Sequence, residues 1–343
     1  MNDSVVPTLV LRAHSSRRRR LFGAGAMASA ALAIGMAAPA RAEPDYPNRT
    51  IKIVVPYSAG TGSDALARTV AQGITEKTGK TVVIENKDGG GSLIGTLAVA
   101  KAVPDGYTIL IAANPMTIVP GQSATPAYDP VKDFLPIAKV AVIPLVLVVS
   151  PSLKLNNVRE FVAYAKANPG KLSYGSSGPG TISQQQMELF KQAVGIDIPE
   201  IPYKSTAQAM TDLIGGTLSV FPVVVPLVAQ HIQSGRAKAL AVFDTVRSQL
   251  LPDVPPITEE VTVSGYVPTP VWYGFVAPAR TPPEVVAALA GLINGVMATA
   301  DAKARLAALG AQPISVGNEQ FAADIRSEYE KSAALAKRLG TFK

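Results

Sequence analysis

Ile51-Lys-Ile-Val-Val-Pro-Tyr-Ser-Ala-Gly-Thr-Gly-Ser-Asp64 runs from a β-branched apolar stretch into a loop of small residues and stops where a helical pattern begins. Such a run, interrupted only by Lys52, is a strand former and reads as a buried strand. Leu66, Val70 and Ile74 then recur at helical spacing, and Gly79 stands where that helix should end. A buried strand feeding a helix through a Gly/Ser/Thr loop leaves unpaired backbone N–H groups above the sheet edge, which is a seat for an anion. No nucleophile, metal cluster or cofactor motif accompanies it. The seat therefore reads as built to hold a ligand, with no cofactor and no metal expected.

Outward from this stretch the alternation continues. Residues 81–85 and 107–112 read as strands, with a helix over 94–102 between them, and these predict βα units of a parallel sheet. A second set follows the long apolar run 140–149. Its predicted helices cover 158–167, 181–194 and 205–214, with strands at 172–174, 198–203 and 218–225. A strand over 237–243, another over 273–277 and amphipathic helices near 283–298 and 319–339 complete the chain. The class is α/β. Trp272 and Tyr273 are expected to pack in the core or a hinge.

The first 42 residues stand apart. Arg17 to Arg20 precede an Ala-rich apolar segment over 21–38, and Ala40-Arg41-Ala42 has the spacing of a signal-peptidase site. This predicts an export signal cleaved before Glu43, by a twin-arginine or a general secretory route. The segment holds six Arg and one Asp, so a chain of formal charge +7 falls to about +2 once it is removed. A basic face for nucleic acid thereby loses its support. With no Cys, the mature protein has no disulfide, thiol nucleophile or thiolate metal site.

Three helix starts share one chemistry. Besides Gly60 to Asp64, the loop Tyr174-Gly-Ser-Ser-Gly-Pro-Gly-Thr181 precedes Thr181-x-x-Gln184, and Tyr203-Lys204 precedes Ser205-x-x-Gln208, both with capping-box spacing. If two domains face each other across a cleft, donors from these starts converge on one anionic group. Ordinary helix capping is the alternative for each of them.

The ordered landmarks resemble a known family. Ile53-Val-Val-Pro-Tyr57 with Gly60 to Asp64, Val83-Ile-Glu-Asn86 with Gly89-Gly-Gly91, and Pro104-Asp-Gly-Tyr-Thr108 are similar to those of tripartite tricarboxylate transporter solute-binding proteins of the Bug type. So are Tyr174-Gly-Ser-Ser-Gly178, Pro202-Tyr-Lys204, Asp212-Leu-Ile-Gly-Gly216, Leu251-Pro-Asp-Val-Pro255 and Trp272-Tyr-Gly-Phe-Val-Ala-Pro278, which together span residues 47–340 in order. The resemblance implies a type II-like two-domain periplasmic-binding-protein fold with the ligand in the interdomain cleft. Domain I is expected from 43–146 plus 245–343, and domain II from 147–244.

It also implies a periplasmic receptor, a monomer, that takes a small carboxylate and delivers it to membrane permease subunits. Carried over by position, Tyr57, Ser58, Ala59, Gly60, Thr61, Gly62, Ser63 and Asp64 form the first binding loop, and Ser176, Ser177, Gly178, Thr181 and Gln184 the second. Lys204, Ser205 and Thr206 close the far side, with Asn114 and Val223 completing the pocket. Asp64 would repel a carboxylate and is expected at the rim or bound to a ligand amine or hydroxyl. The sequence departs from the family at Ser58-Ala59-Gly60, commonly Pro-Gly-Gly, at Gln184, often His, and around Pro222 to Val224, where a polar residue is usual.

Two other readings remain. A sensor-kinase co-receptor would have the same architecture. A periplasmic hydrolase would need a triad, yet His231 is the one imidazole after the export segment and no Gly-x-Ser-x-Gly elbow occurs.

Overall fold

The computed structural model describes residues 46–261 and 266–340, all within one unit spanning Tyr46–Lys343. The export segment and its cleavage point before Glu43 lie outside the described residues. The first half runs β1 (Ile51–Val55), α1 (Gly62–Thr78), β2 (Val82–Asn86), α2 (Leu93–Ala100), β3 (Thr108–Ala113), α3 (Pro115–Gly121) and β4 (Phe134–Ile143). After Pro144 follow β5 (Leu145–Val149), α4 (Val158–Ala167), β6 (Tyr174–Ser176), α5 (Ile182–Val194), β7 (Glu200–Pro202) and α6 (Thr206–Gly215). Then come β8 (Val220–Val224), α7 (Val225–Gln233), β9 (Lys238–Val242) and α8 (Ile257–Glu260). The chain closes with β10 (Val271–Pro278), α9 (Pro283–Met297), α10 (Ala300–Ala308), β11 (Gln312–Val316) and α11 (Asn318–Leu339).

Two sheets organise these elements. The first has the order β11-β4-β10-β3-β1-β2 and the second β7-β6-β8-β5-β9. This is a two-domain periplasmic-binding-protein fold, each sheet with its own helices. β1 pairs in parallel with β2 and β3, as the βα reading predicts. The remainder of that sheet is antiparallel, β10 running against both β3 and β4 and β11 against β4.

The run 140–149 is two strands, not one stretch. Pro144 lacks an N–H and separates β4, in the first sheet, from β5, in the second. All five β5 residues are buried between β8 and β9, so apolar continuity hides the change of sheet. After α8 the chain returns to the first sheet at β10.

Burial follows the helical and strand periods. Ile53 from β1 and Leu66, Val70 and Ile74 from α1 share one core, each at most 2% exposed, contributing about 1.5–3 kcal/mol apiece relative to exposure. Gly79 ends α1 in the left-handed region at φ 68°, its N–H donating to Thr75 O. In β10 successive side chains face opposite ways, so Trp272 enters the core with Phe321 while Tyr273 faces the other side.

Candidate functional site

A cavity of about 350 Å³ is lined from both halves of the chain. The first sheet's side contributes Tyr57, Thr61, Gly62, Ser63, Ala113, Asn114, Pro115, Val271 and Tyr273. Leu145, Ser177, Thr181, Ile182, Ser183, Thr206, Leu227 and residues 221–224 come from the second side. No Asp, Glu, Lys, Arg or His is among the lining residues. Burial raises the pKa of both Tyr57 and Tyr273, which keeps their phenols neutral.

The helix starts meet here. Thr61 caps α1, its Oγ1 accepting the Asp64 N–H at 3.4 Å. The backbone N–H groups of Thr61, Gly62 and Ser63 find no acceptor among the described residues, nor do those of Ile182 and Ser183 at the start of α5 or Thr206 at the start of α6. All six residues line the cavity. Helix N-termini with free donors favour negative charge by geometry and dipole alike.

Asp64 serves the loop. It is 3% exposed, and its Oδ2 accepts from Gly60 N–H and Arg68 Nε, each at 2.9 Å, while Oδ1 accepts from Asn86 Nδ2 at 3.0 Å. The Arg68 hydrogen bond, with help from Gly60 and Asn86, pulls its pKa from 3.8 to about 2. The carboxylate is thus placed neither at the rim nor in the cavity, and its charge is spent inside the protein. Ser58 Oγ donates to Asp88, and Ser58, Ala59 and Gly60 are exposed outside the lining.

The second loop is held from beneath by Glu200. Its carboxylate accepts from Ser176 Oγ and, at 2.9 Å, from Gln184 Nε2. Gln184 Oε1 accepts the Gly180 N–H at 3.1 Å, Ser183 Oγ the Ser177 N–H at 3.1 Å, and Ser176 Oγ the Gly178 N–H at 2.8 Å. The expected capping boxes are therefore not formed. Thr181 Oγ1 donates to Gly178 O at 2.6 Å instead of accepting a helix N–H, and Gln208 Nε2 turns to Asp212 Oδ1 at 2.9 Å. Ser176, Gly178 and Gln184 stand behind the lining, and Lys204 and Ser205 are exposed away from it.

Asn114 reaches the cavity but its amide is committed. Nδ2 donates to Glu328 Oε1 at 2.7 Å and to Pro270 O at 3.2 Å, while Oδ1 accepts the Trp272 N–H at 3.1 Å. Glu328, 5% exposed, also accepts from Trp272 Nε1 at 2.8 Å and Thr117 Oγ1 at 2.5 Å. Of the sequence-derived residues, the structure brings Tyr57, Thr61, Gly62, Ser63, Asn114, Ser177, Thr181, Thr206 and Val223 to one cavity. Sequence reasoning missed Leu227 and the cavity-facing role of Tyr273. Alternation along β10 separates Tyr273 from Trp272 and was the available signal.

Comparison with known proteins places the chain in a family. Residues 66–341 match the family described as "Tripartite tricarboxylate transporter family receptor". The chain is 34% identical over 308 residues to Protein BugT of Bordetella pertussis, covering 89% of this chain and 94% of that one. Among solved structures, the periplasmic binding protein BugD aligns at 34% identity with a TM-score of 0.68, over 87% of this chain and 100% of that one. An R. palustris protein solved with adipate aligns at 31% identity and a TM-score of 0.69, over 85% and 98%.

Proposed function

The chain belongs to the tripartite tricarboxylate transporter receptor family, and from that premise we propose that it captures a small carboxylate between its two lobes and delivers it to membrane permease subunits. The family is one of solute-binding receptors, periplasmic rather than enzymatic in role. The observation that carries the reading is the convergence of N–H donors from α1, α5 and α6 on one cavity without a charged side chain. A carboxylate accepts from such donors without needing a counter-ion on the wall.

We assign the ligand contacts to Tyr57, Thr61, Gly62, Ser63, Asn114, Ser177, Thr181, Thr206 and Val223, joined by Ser183 and Tyr273. Asp64, Glu200 and Glu328 shape the site from behind. The expected division at 146/147 and 244/245 shifts with the sheets: we propose that domain I comprises 43–144 and the segment from β10 on, that domain II comprises the segment from β5 through α8, since Leu145, Val146, Leu251 and Ile257 pack with the second sheet, and that the protein works as a monomer. Export removes residues 1–42, and N-terminal sequencing beginning at Glu43 checks that step. The adipate held by the R. palustris relative supports the ligand class. Native mass spectrometry of the purified mature protein tests the function. A retained small carboxylate is expected, and a retained sugar or cation, or conversion of the ligand to product, overturns it.

A further inference from the structure

We infer that this receptor selects acids carrying a single carboxylate on an apolar body, aromatic or short aliphatic, over di- and tricarboxylates. This rests on the proposal that the cavity holds a carboxylate and deepens it to a substrate class. The donors are concentrated at the three helix starts, at Thr61 to Ser63, at Ile182 and Ser183 and at Thr206. The wall built from the end of β8 and the start of α7 offers the opposite chemistry. Phe221, Pro222, Val223, Val224 and Leu227 present rings, methyl groups and backbone, with no side-chain donor among them.

A second carboxylate against that wall would be desolvated without a donor or cation, which costs more than the contact returns. Asn114 cannot rescue it, because both ends of its amide are already bonded to Glu328, Pro270 and Trp272. Lys204 is exposed and outside the lining. Tyr57 and Tyr273 supply flat ring faces, and the Tyr273 Oη lies beside Gly62, at the donor end of the cavity. The volume of about 350 Å³ lies at the small end of the ~300–1,000 Å³ range of ligand sites, which suits one ring or a short chain. The competing fit is a dicarboxylate spanning the starts of α1 and α5, one carboxylate at each.

Isothermal titration of the purified, ligand-stripped mature protein with benzoate, hexanoate, adipate, citrate and benzamide separates these cases. Benzoate or hexanoate is expected to bind about tenfold or more tightly than adipate and citrate, with benzamide weak. Tighter binding of adipate or citrate overturns the inference while leaving the carboxylate reading intact. Benzamide binding as well as benzoate overturns the carboxylate reading itself, and silence from both monocarboxylates overturns the inference. Leu227, 54% exposed at the cavity, can be changed without disturbing the core. Leu227→Lys is expected to raise adipate affinity about tenfold and to weaken benzoate, whose apolar body loses the Leu227 contact. A variant in which adipate gains nothing would remove the apolar end of the ligand from this wall.

Discussion

Ser332 Oγ on α11 donates to Gln185 Oε1 on α5 at 3.1 Å, which joins a helix packed on the first sheet to one packed on the second. Both side chains are buried, at 0% and 1% exposed. The same hydroxyl reaches Glu328 O at 2.8 Å, so one proton serves two acceptors. A Cβ on Gly121 of α3 would lie 2.6 Å from Ser332 Cβ, which shows how little room this joint has. Since Glu328 also holds Asn114 and Trp272, the joint is continuous with the cavity wall.

Ser332→Ala removes the donor and leaves Gln185 Oε1 buried without a partner. The expected loss is about 1 kcal/mol, read as a lower urea midpoint at unchanged slope. An unchanged midpoint would mean that the joint contributes geometry and no net stability.

Asp64 gives a pH signature. Its folded pKa of about 2 lies below the ordinary 3.8, so its contribution is complete above pH 3.8 and is lost as pH falls toward 2. Asp64→Asn is expected to cost about 1–2 kcal/mol near neutrality, discounted because the Arg68 side of the pair is exposed. The gap between wild type and variant should close on acidification through that window. A constant gap would assign the loss to shape rather than charge.

Glu328 has the opposite sign. Burial raises its pKa above the ordinary 4.5, against the donors Thr117, Asn114 and Trp272 and the charge of Lys139. The folded state then binds the proton more tightly than the unfolded one, so this group's contribution falls as pH rises above 4.5. Glu328→Gln is expected to abolish that dependence while costing about 1–3 kcal/mol, because an NH₂ must face donors already in place. Denaturant midpoints of wild type and variant across pH 4.5 to 8 check it, and parallel curves would refute the assignment.

Legibility in the sequence followed the strength of local signals. β1 at 51–55 and α4 at 158–167 begin and end where apolar period and flanking breakers place them. The short α7 and α10 and the strand β11 escaped, since few residues carry too little period to stand out. Pro144 was readable as a breaker only once the two sheets were known. In the site, the helix starts were visible as Gly/Ser/Thr loops, but which hydroxyls face the cavity was not. Ser176 and Ser177 are neighbours of one type, yet Glu200, 24 residues on from Ser176, turns the first away and leaves the second in the lining. Asp64 was misplaced because Arg68, one turn along the same helix, and Asn86, at the end of β2, both claim its carboxylate.

Two glycines separate crowding from backbone strain. A Cβ on Gly62 would sit 3.2 Å from Tyr273 Oη, and both residues line the cavity, so Gly62→Ala must displace the phenol within the site. Gly178 has nothing within 4 Å of its would-be Cβ but holds φ +100°, where an alanine is strained whatever the space. It lies outside the lining, behind Ser177. Gly62→Ala is therefore expected to weaken binding of the retained acid about tenfold with the melting temperature nearly unchanged. Gly178→Ala is expected to lower stability by about 1–2 kcal/mol and affinity by less than Gly62→Ala. Calorimetry of binding and of unfolding on the same preparations reads both quantities. If Gly178→Ala damages binding more than Gly62→Ala does, recognition is centred on the second loop and the start of α1 is only a scaffold.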